Sequence, residues 1–256
     1  MKTSIFMTGV LSRHRRVLPV AVLALVLGFP VSFPHAQQVH IDVEAPGFSR
    51  LKVAMPPFAG QGDLARTLWN VCARDLAITG MFEVLDPKSY VNPGPAGRVD
   101  AAAVREFGLI GADYALAATL GMQGDTVTLR VHMVEVATTT VVDNTLYTAG
   151  AGEPYRAVHA FMNRLLHERF GLDPLFSTKI ACIVKAGNAK QLHVMWCDGT
   201  GGTTIKGGGS LVLNPAWSPD GGRIALVSYY RNRPDMYVFD RFSYRLKLVS
   251  GEKGIN

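Results

Sequence analysis

Asn214-Pro215-Ala216-Trp217-Ser218-Pro219-Asp220-Gly221 is the stretch on which the fold of this chain turns. Pro219-Asp220-Gly221 spells a tight turn, because an Asp side chain can bond its own backbone two residues on and Gly accepts positive φ. Trp217 brings a large apolar body to the entry of that turn, suited to filling the wedge between neighbouring sheets. None of these groups performs chemistry, so Trp217, Ser218, Pro219, Asp220 and Gly221 read as a structural repeat motif. The stretch belongs to a region that repeats at an offset of 44 residues without a gap: Ile180-Ala181 aligns with Ile224-Ala225, Ile183 with Val227, Leu192 with Met236, Val194 with Val238 and Ile205 with Val249. A period of this length, with several short strands per unit, is that of a β-propeller blade.

Upstream of Asp173-Pro174 the pattern changes, and a domain boundary is expected near Asp173–Thr178. Leu51–Phe58 is an apolar run ending in Pro56-Pro57. Asp63 is expected to cap a helix whose apolar face is Leu64, Leu68, Val71, Cys72 and Leu76, closed by Gly80. Met81–Leu85 reads as a strand and Asn92–Gly97 as a loop. Asp100 is expected to cap a second helix through Phe107, ended by Gly108. Tyr114–Leu120, Thr126–Val136 and Val141–Tyr147 read as strands. In the second of these, Val127, Leu129, Val131 and Met133 alternate with Thr128, Arg130 and His132, as in a half-buried strand. A last helix is expected from Glu153-Pro154 to Phe170, stopped by Gly171. Helices mixed with strands predict an α/β domain over residues 37–172, followed by an all-β part over 178–256.

The chain of 256 residues is 48% hydrophobic and 18% charged, which is globular composition, and its formal net charge is +6. Position matters more than the total. Lys2, Arg13, Arg15 and Arg16 lie in residues 1–36, where there is no Asp or Glu, so the chain from Gln37 onward is nearly balanced. Nothing in that balance calls for nucleic acid. Basic residues followed by the uncharged run Val17–Pro34 read as a signal peptide over residues 1–36. The run is too short and too interrupted by Pro19, Gly28 and Pro30 to be the favoured reading for a membrane span.

Searches for chemistry return little. There is no G-x-S-x-G, P-loop, G-x-G-x-x-G, H-E-x-x-H or C-x-x-C, so the chain reads as no enzyme, without cofactor and without metal. His159 and His167 stand eight apart on one helix, but surface or core histidines are far commoner than ligands at that spacing. Cys72, Cys182 and Cys197 remain in the exported part. A hairpin centred on Gly187-Asn188 would set Cys182 nearer Val194 than Cys197, which disfavours a disulfide. Gln37–Arg50, a short leader with Val39, Ile41 and Val43 alternating, reads as a strand or an extended arm.

Several of these stretches together resemble the TolB family of the Tol-Pal envelope system. They are Leu51-Lys52-Val53-Ala54-Met55-Pro56-Pro57-Phe58, Gly80-Met81-Phe82, Gly111-Ala112-Asp113-Tyr114, Phe176-Ser177-Thr178-Lys179-Ile180-Ala181, Asp198-Gly199 and Pro215–Gly221. The resemblance implies an α/β N-terminal domain followed by a six-bladed β-propeller. It also implies a periplasmic protein without catalysis, which binds the lipoprotein Pal through the propeller and TolA through the N-terminal arm, in support of outer-membrane integrity and cell division. By position the arm is Gln37, Val39, Ile41, Asp42 and Val43, a segment suited to adding a strand to a partner's sheet edge. With a period of 44 the next Trp-Ser-Pro-Asp-Gly is expected at about residue 261. The chain is therefore expected to hold only about two blades, as part of a longer protein or of an interrupted reading frame, with most of the Pal-facing surface outside it. Trp196 stands where the repeat has Asp240. Two other readings are an exported peptidase whose hydrolase domain follows the propeller, and a nonfunctional fragment.

Overall fold

The computed structural model describes residues 49–60, 62–205 and 211–252. The signal-peptide reading at 1–36 and the arm at Gln37–Val43 lie outside them. Among the described residues no helix is long and apolar enough to cross a membrane.

The first half is built on a six-stranded mixed sheet. β1 (Leu51–Ala54) runs parallel to both β2 (Phe82–Val84) and β3 (Tyr114–Gln123). β3 is antiparallel to β4 (Thr126–Glu135), and β5 (Thr140–Asp143) and β6 (Leu146–Gly150) pair with opposite halves of β4. The alternation in β4 sorts its faces: Val127, Leu129, Val131 and Met133 are all buried. Helices α1 (Gly62–Ile78) and α3 (Arg156–Phe170) pack on each other, and α3 lies against β4 and β6. Its buried residues Val158, Phe161, Met162, Leu165 and Leu166 recur at helical spacing, and Phe161 meets the Tyr147 ring edge-on at 5.9 Å. Helix α2 (Ala101–Leu109) closes the opposite face, where Ala103, Val104 and Phe107 cluster with Ala115, Ala117 and Val134. Alanines on that face of β3 let the helix approach closely.

Local chemistry explains where the elements depart from the sequence reading. Asp63 is not a cap; it lies within the first turn of α1, where its carboxylate accepts from Arg66 at 2.9 Å. On the same helix Ala65 is buried while Leu64 is only half-buried. Asp100 does cap α2, accepting from the Ala103 N–H at 2.8 Å, but Gly108 does not end that helix. The stop is Gly111, at φ 75°, with Gly111 N–H on Gly108 O and Ala112 N–H on Phe107 O, the paired bonds of a Schellman closure. The run Val141–Tyr147 is two strands, because the Asp143 carboxylate takes the Thr145 N–H (2.8 Å) and the Tyr147 hydroxyl (2.6 Å) and turns the chain between β5 and β6. Glu153-Pro154 forms a turn ahead of α3 rather than its first residues.

His132, on the α2 face of β4, holds the loop that precedes α2. Its Nδ1 accepts the Val99 N–H at 3.2 Å, which requires that nitrogen to be unprotonated. Burial, helped by the nearby Arg98 charge, lowers its pKa below the ordinary 6.5. A depressed folded pKa gives stability that is complete above the unfolded value and is lost as pH falls through the folded one. Thermal melts from about pH 7.5 down to about pH 5, across and below the ordinary histidine range, should show the wild type losing stability faster than His132→Asn. Parallel curves would rule this role out.

The second half is all β. β7 (Lys179–Ala186), β8 (Ala189–Trp196) and β9 (Thr203–Ile205) form a three-stranded antiparallel sheet. β10 (Val212–Trp217), β11 (Arg223–Ser228), β12 (Asp235–Asp240) and β13 (Arg245–Ser250) form a four-stranded one. Residues at the 44-residue offset fall on corresponding strands, β7 with β11, β8 with β12 and β9 with β13. The two sheets share one core of Leu192, Val194, Val212, Ile224, Leu226, Tyr237 and Phe239. Asn214-Pro215 sits where the β10–β11 register shifts, on an edge strand, so the missing Pro N–H breaks no central ladder. The β7–β8 register sets Cys182 opposite His193, nearer Val194 than Cys197 as expected, and the three thiols are free.

Candidate functional site

Trp217 through Gly221 form the turn that leads β10 into β11. Ser218 Oγ bonds the Asp220 carboxylate and also accepts the Arg223 N–H at 2.9 Å. Asp220 Oδ1 accepts the Gly222 N–H at 2.9 Å, and Gly221 takes φ 64°. Ser218 Oγ and Asp220 Oδ1 thus each take a backbone N–H and shape the turn. Trp217 is half-buried and packs on the core between the two sheets, with the Arg241 guanidinium 5.3 Å from its ring centre. Arg241 also donates to Gly221 O at 2.7 Å, which ties this turn to the one between β12 and β13.

A second cluster joins the helical half to the strands, and neither periodicity nor motif spacing indicates it. Asp75 on α1, His159 on α3 and Asp198 in the β8–β9 connection converge within 4.8 Å of one another. Their side chains are at most 4% exposed. His159 Nε2 stands 3.4 Å from Asp198 Oδ2 and 3.7 Å from Asp75 Oδ2. Both carboxylate oxygens of Asp75 and both ring nitrogens of His159 lack a hydrogen-bond partner. Asp198 is better supplied: the Thr200 N–H (3.0 Å) and hydroxyl (2.7 Å) donate to Oδ1, and Arg74 donates to Oδ2 at 3.0 Å. Aromatic rings wall the cluster, with Tyr155, Phe176 and Trp196 each 5.5–5.8 Å from the imidazole. Lys179 lies 4.0 Å over the outer Trp196 ring.

These surroundings split the two carboxyls. Burial, and then the neighbouring Asp198 charge, push the Asp75 pKa up to about 8, with Arg74 only partly opposing. Burial would raise Asp198 as well, but the Thr200 amide and hydroxyl together with His159 outweigh it and hold that carboxyl below the usual range. Burial also lowers the pKa of His159, against the opposing pull of Asp198. Two carboxyls sharing one dry site cannot both ionise freely, and here the hydrogen bonds select Asp198 as the charged one.

The structure does not bring His159 and His167 together, since His167 is exposed. It brings His159 to two aspartates remote in sequence. One signal for Asp75 was available: an acid at an apolar-face position, between Cys72 and Leu76, is costly unless something meets it. The N-terminal arm Gln37, Val39, Ile41, Asp42 and Val43 lies outside the described residues.

Residues 39–142 match a protein family described as the TolB amino-terminal domain. The chain is 29% identical over 251 residues to the Tol-Pal system protein TolB of Aromatoleum aromaticum, covering 98% of this chain and 57% of that protein. It is 30% identical over 212 residues to the Tol-Pal system protein TolB of Azoarcus sp., covering 82% and 48% respectively. A crystal structure of TolB from Acinetobacter baumannii superposes with a TM-score of 0.67 at 23% identity, over 81% of this chain and 51% of that one, which is a likeness of fold. The chain spans about half the length of these relatives.

Proposed function

We propose that this chain, which resembles TolB over most of its length and carries the TolB amino-terminal domain at residues 39–142, acts as the TolB component of a Tol-Pal system. In this reading it is a non-catalytic periplasmic adaptor, exported by residues 1–36 as a signal peptide. Residues 37–172 are its α/β domain and 178–256 supply about two blades of a β-propeller. The observation that carries the reading is the match to Tol-Pal proteins along nearly the whole chain. The architecture supports it: side chains in the turn motif shape backbone, and the buried cluster joins helices to sheets.

The proposed partners divide between the two ends. TolA is bound by the arm Gln37, Val39, Ile41, Asp42 and Val43, in which Val39, Ile41 and Val43 alternate in the manner of a strand added to an open sheet edge. Pal is bound by the propeller surface, of which this chain supplies a part. Pull-down with purified TolA and Pal tests both assignments. A chain starting at Gln37 should capture TolA, and one starting at Gly47 should lose on the order of tenfold or more in affinity, the cost of a few main-chain bonds and pockets. Undiminished TolA capture by the shorter chain would disprove the arm assignment. Failure of both chains on both partners would overturn the function.

A further inference from the structure

The Asp75–His159–Asp198 cluster has a geometry that hydrogen bonding does not explain. At 3.4 and 3.7 Å, the two separations from His159 Nε2 to carboxylate oxygens are long for hydrogen bonds between such groups. They come close to another arrangement, and all three ligand atoms lie within 4.8 Å of one another. Ligands 2.0–2.2 Å from a tetrahedral ion stand roughly 3.3–3.6 Å from one another. An imidazole nitrogen and a carboxylate oxygen are both ligands that a zinc-type ion accepts, and the imidazole disfavours magnesium or calcium. The burial is equally pointed: Asp75 is 0% and His159 3% exposed, yet neither has a hydrogen-bond partner. Buried polar groups left so are rare and call for an explanation.

We propose that Asp75, His159 and Asp198 bind one divalent transition-metal ion of the zinc type, which fastens helices α1 and α3 to the β8–β9 connection. The ligands would be one oxygen of Asp75, Nε2 of His159 and Oδ2 of Asp198. Arg74 supports this assignment as an outer partner. Its half-exposed guanidinium holds Asp198 Oδ2 at 3.0 Å, the kind of bond that orients a metal-binding carboxylate. On binding, the ion would displace the proton from Asp75, and the two carboxylates would then face the ion and one guanidinium. His159 also lines an adjoining cavity of about 290 Å³ with Arg156, Asn163, Phe176, Ser177 and Trp196. The three ligands come from three separate elements, so the ion would act as a cross-link between the two halves of the fold. This inference stands apart from partner binding.

The test is zinc titration of the metal-stripped 256-residue chain, followed by calorimetry and thermal melts. One equivalent should saturate the site, and the melting temperature should rise by about 5–10 °C at free zinc a hundredfold above Kd. Asp75→Asn and His159→Gln should each weaken binding at least on the order of tenfold. Binding that survives in both variants, or no saturable binding at all, overturns the proposal. Should either variant fail to fold, cobalt added to the wild type decides. Visible bands of a nitrogen and oxygen site support the assignment, whereas a thiolate-to-cobalt band would place the ion on Cys72 or Cys197 and refute it.

Discussion

Phe161→Ala should lower the unfolding temperature of the α/β half by about 6–20 °C, from a loss of about 3–5 kcal/mol. Phe161 is fully buried on α3 and meets Tyr147 edge-on. Tyr147 stands opposite Leu129 in the β4–β6 register, so the ring pair is where α3 seats on the sheet. The loss has three parts. The ring gives up its transfer free energy, a cavity opens between helix and sheet, and the aromatic contact disappears. Tyr147 is itself held by its hydroxyl on Asp143, so it cannot readily swing in to fill the space. Phe242→Ala serves as the control, because that ring is 84% exposed and its removal should change stability by no more than about 0.5 kcal/mol. Calorimetry of the two variants checks the pair, and a similar melting temperature for both would contradict the packing described.

The second large effect is expected at Gly201, in the turn before β9. Its φ is 59°, a conformation that costs an ordinary residue about 1–2 kcal/mol. It is also closely faced: an added Cβ would run into the Tyr155 hydroxyl and ring and come within 2.9 Å of the Trp196 ring. Those side chains cannot simply move aside, because both pack against the buried His159. Overpacking of this kind adds about 1–3 kcal/mol, so Gly201→Ala should cost about 2–5 kcal/mol in total. Gly199 provides the comparison. It has φ 87° but nothing within 4 Å of an added Cβ, so Gly199→Ala should show the backbone cost alone. Denaturant melts of the two variants separate the terms. Equal losses would mean that the approach of this turn to Tyr155 and Trp196 is not tight.

Much of the fold was legible where a residue's neighbours in space are also its neighbours in sequence. The two-residue alternation of β4, the cap at Asp100, the stop at Gly171 and the Pro-Asp-Gly turn are all set within a few residues. The misreadings share a cause. Gly108 looked like a stop, but a glycine ends a helix only where the chain needs positive φ, and that need fell on Gly111. Asp143 looked like one more residue in a strand until Tyr147 and Thr145 bonded it from the far side of the turn. The break between β5 and β6 is therefore a side-chain event that hydropathy does not register.

By itself the sequence determined the class of each half, the repeat and its period, and the likeness to TolB, because periodicity and turn chemistry are properties of consecutive residues. The tertiary structure alone decided which polar residues meet. Asp75, His159 and Asp198 belong to two helices and a strand connection, each of which is ordinary when read on its own. Their shared site exists only once α1, α3 and the three-stranded β7–β9 sheet pack together, and the low dielectric of that packing is what makes two carboxyls and one imidazole interact strongly.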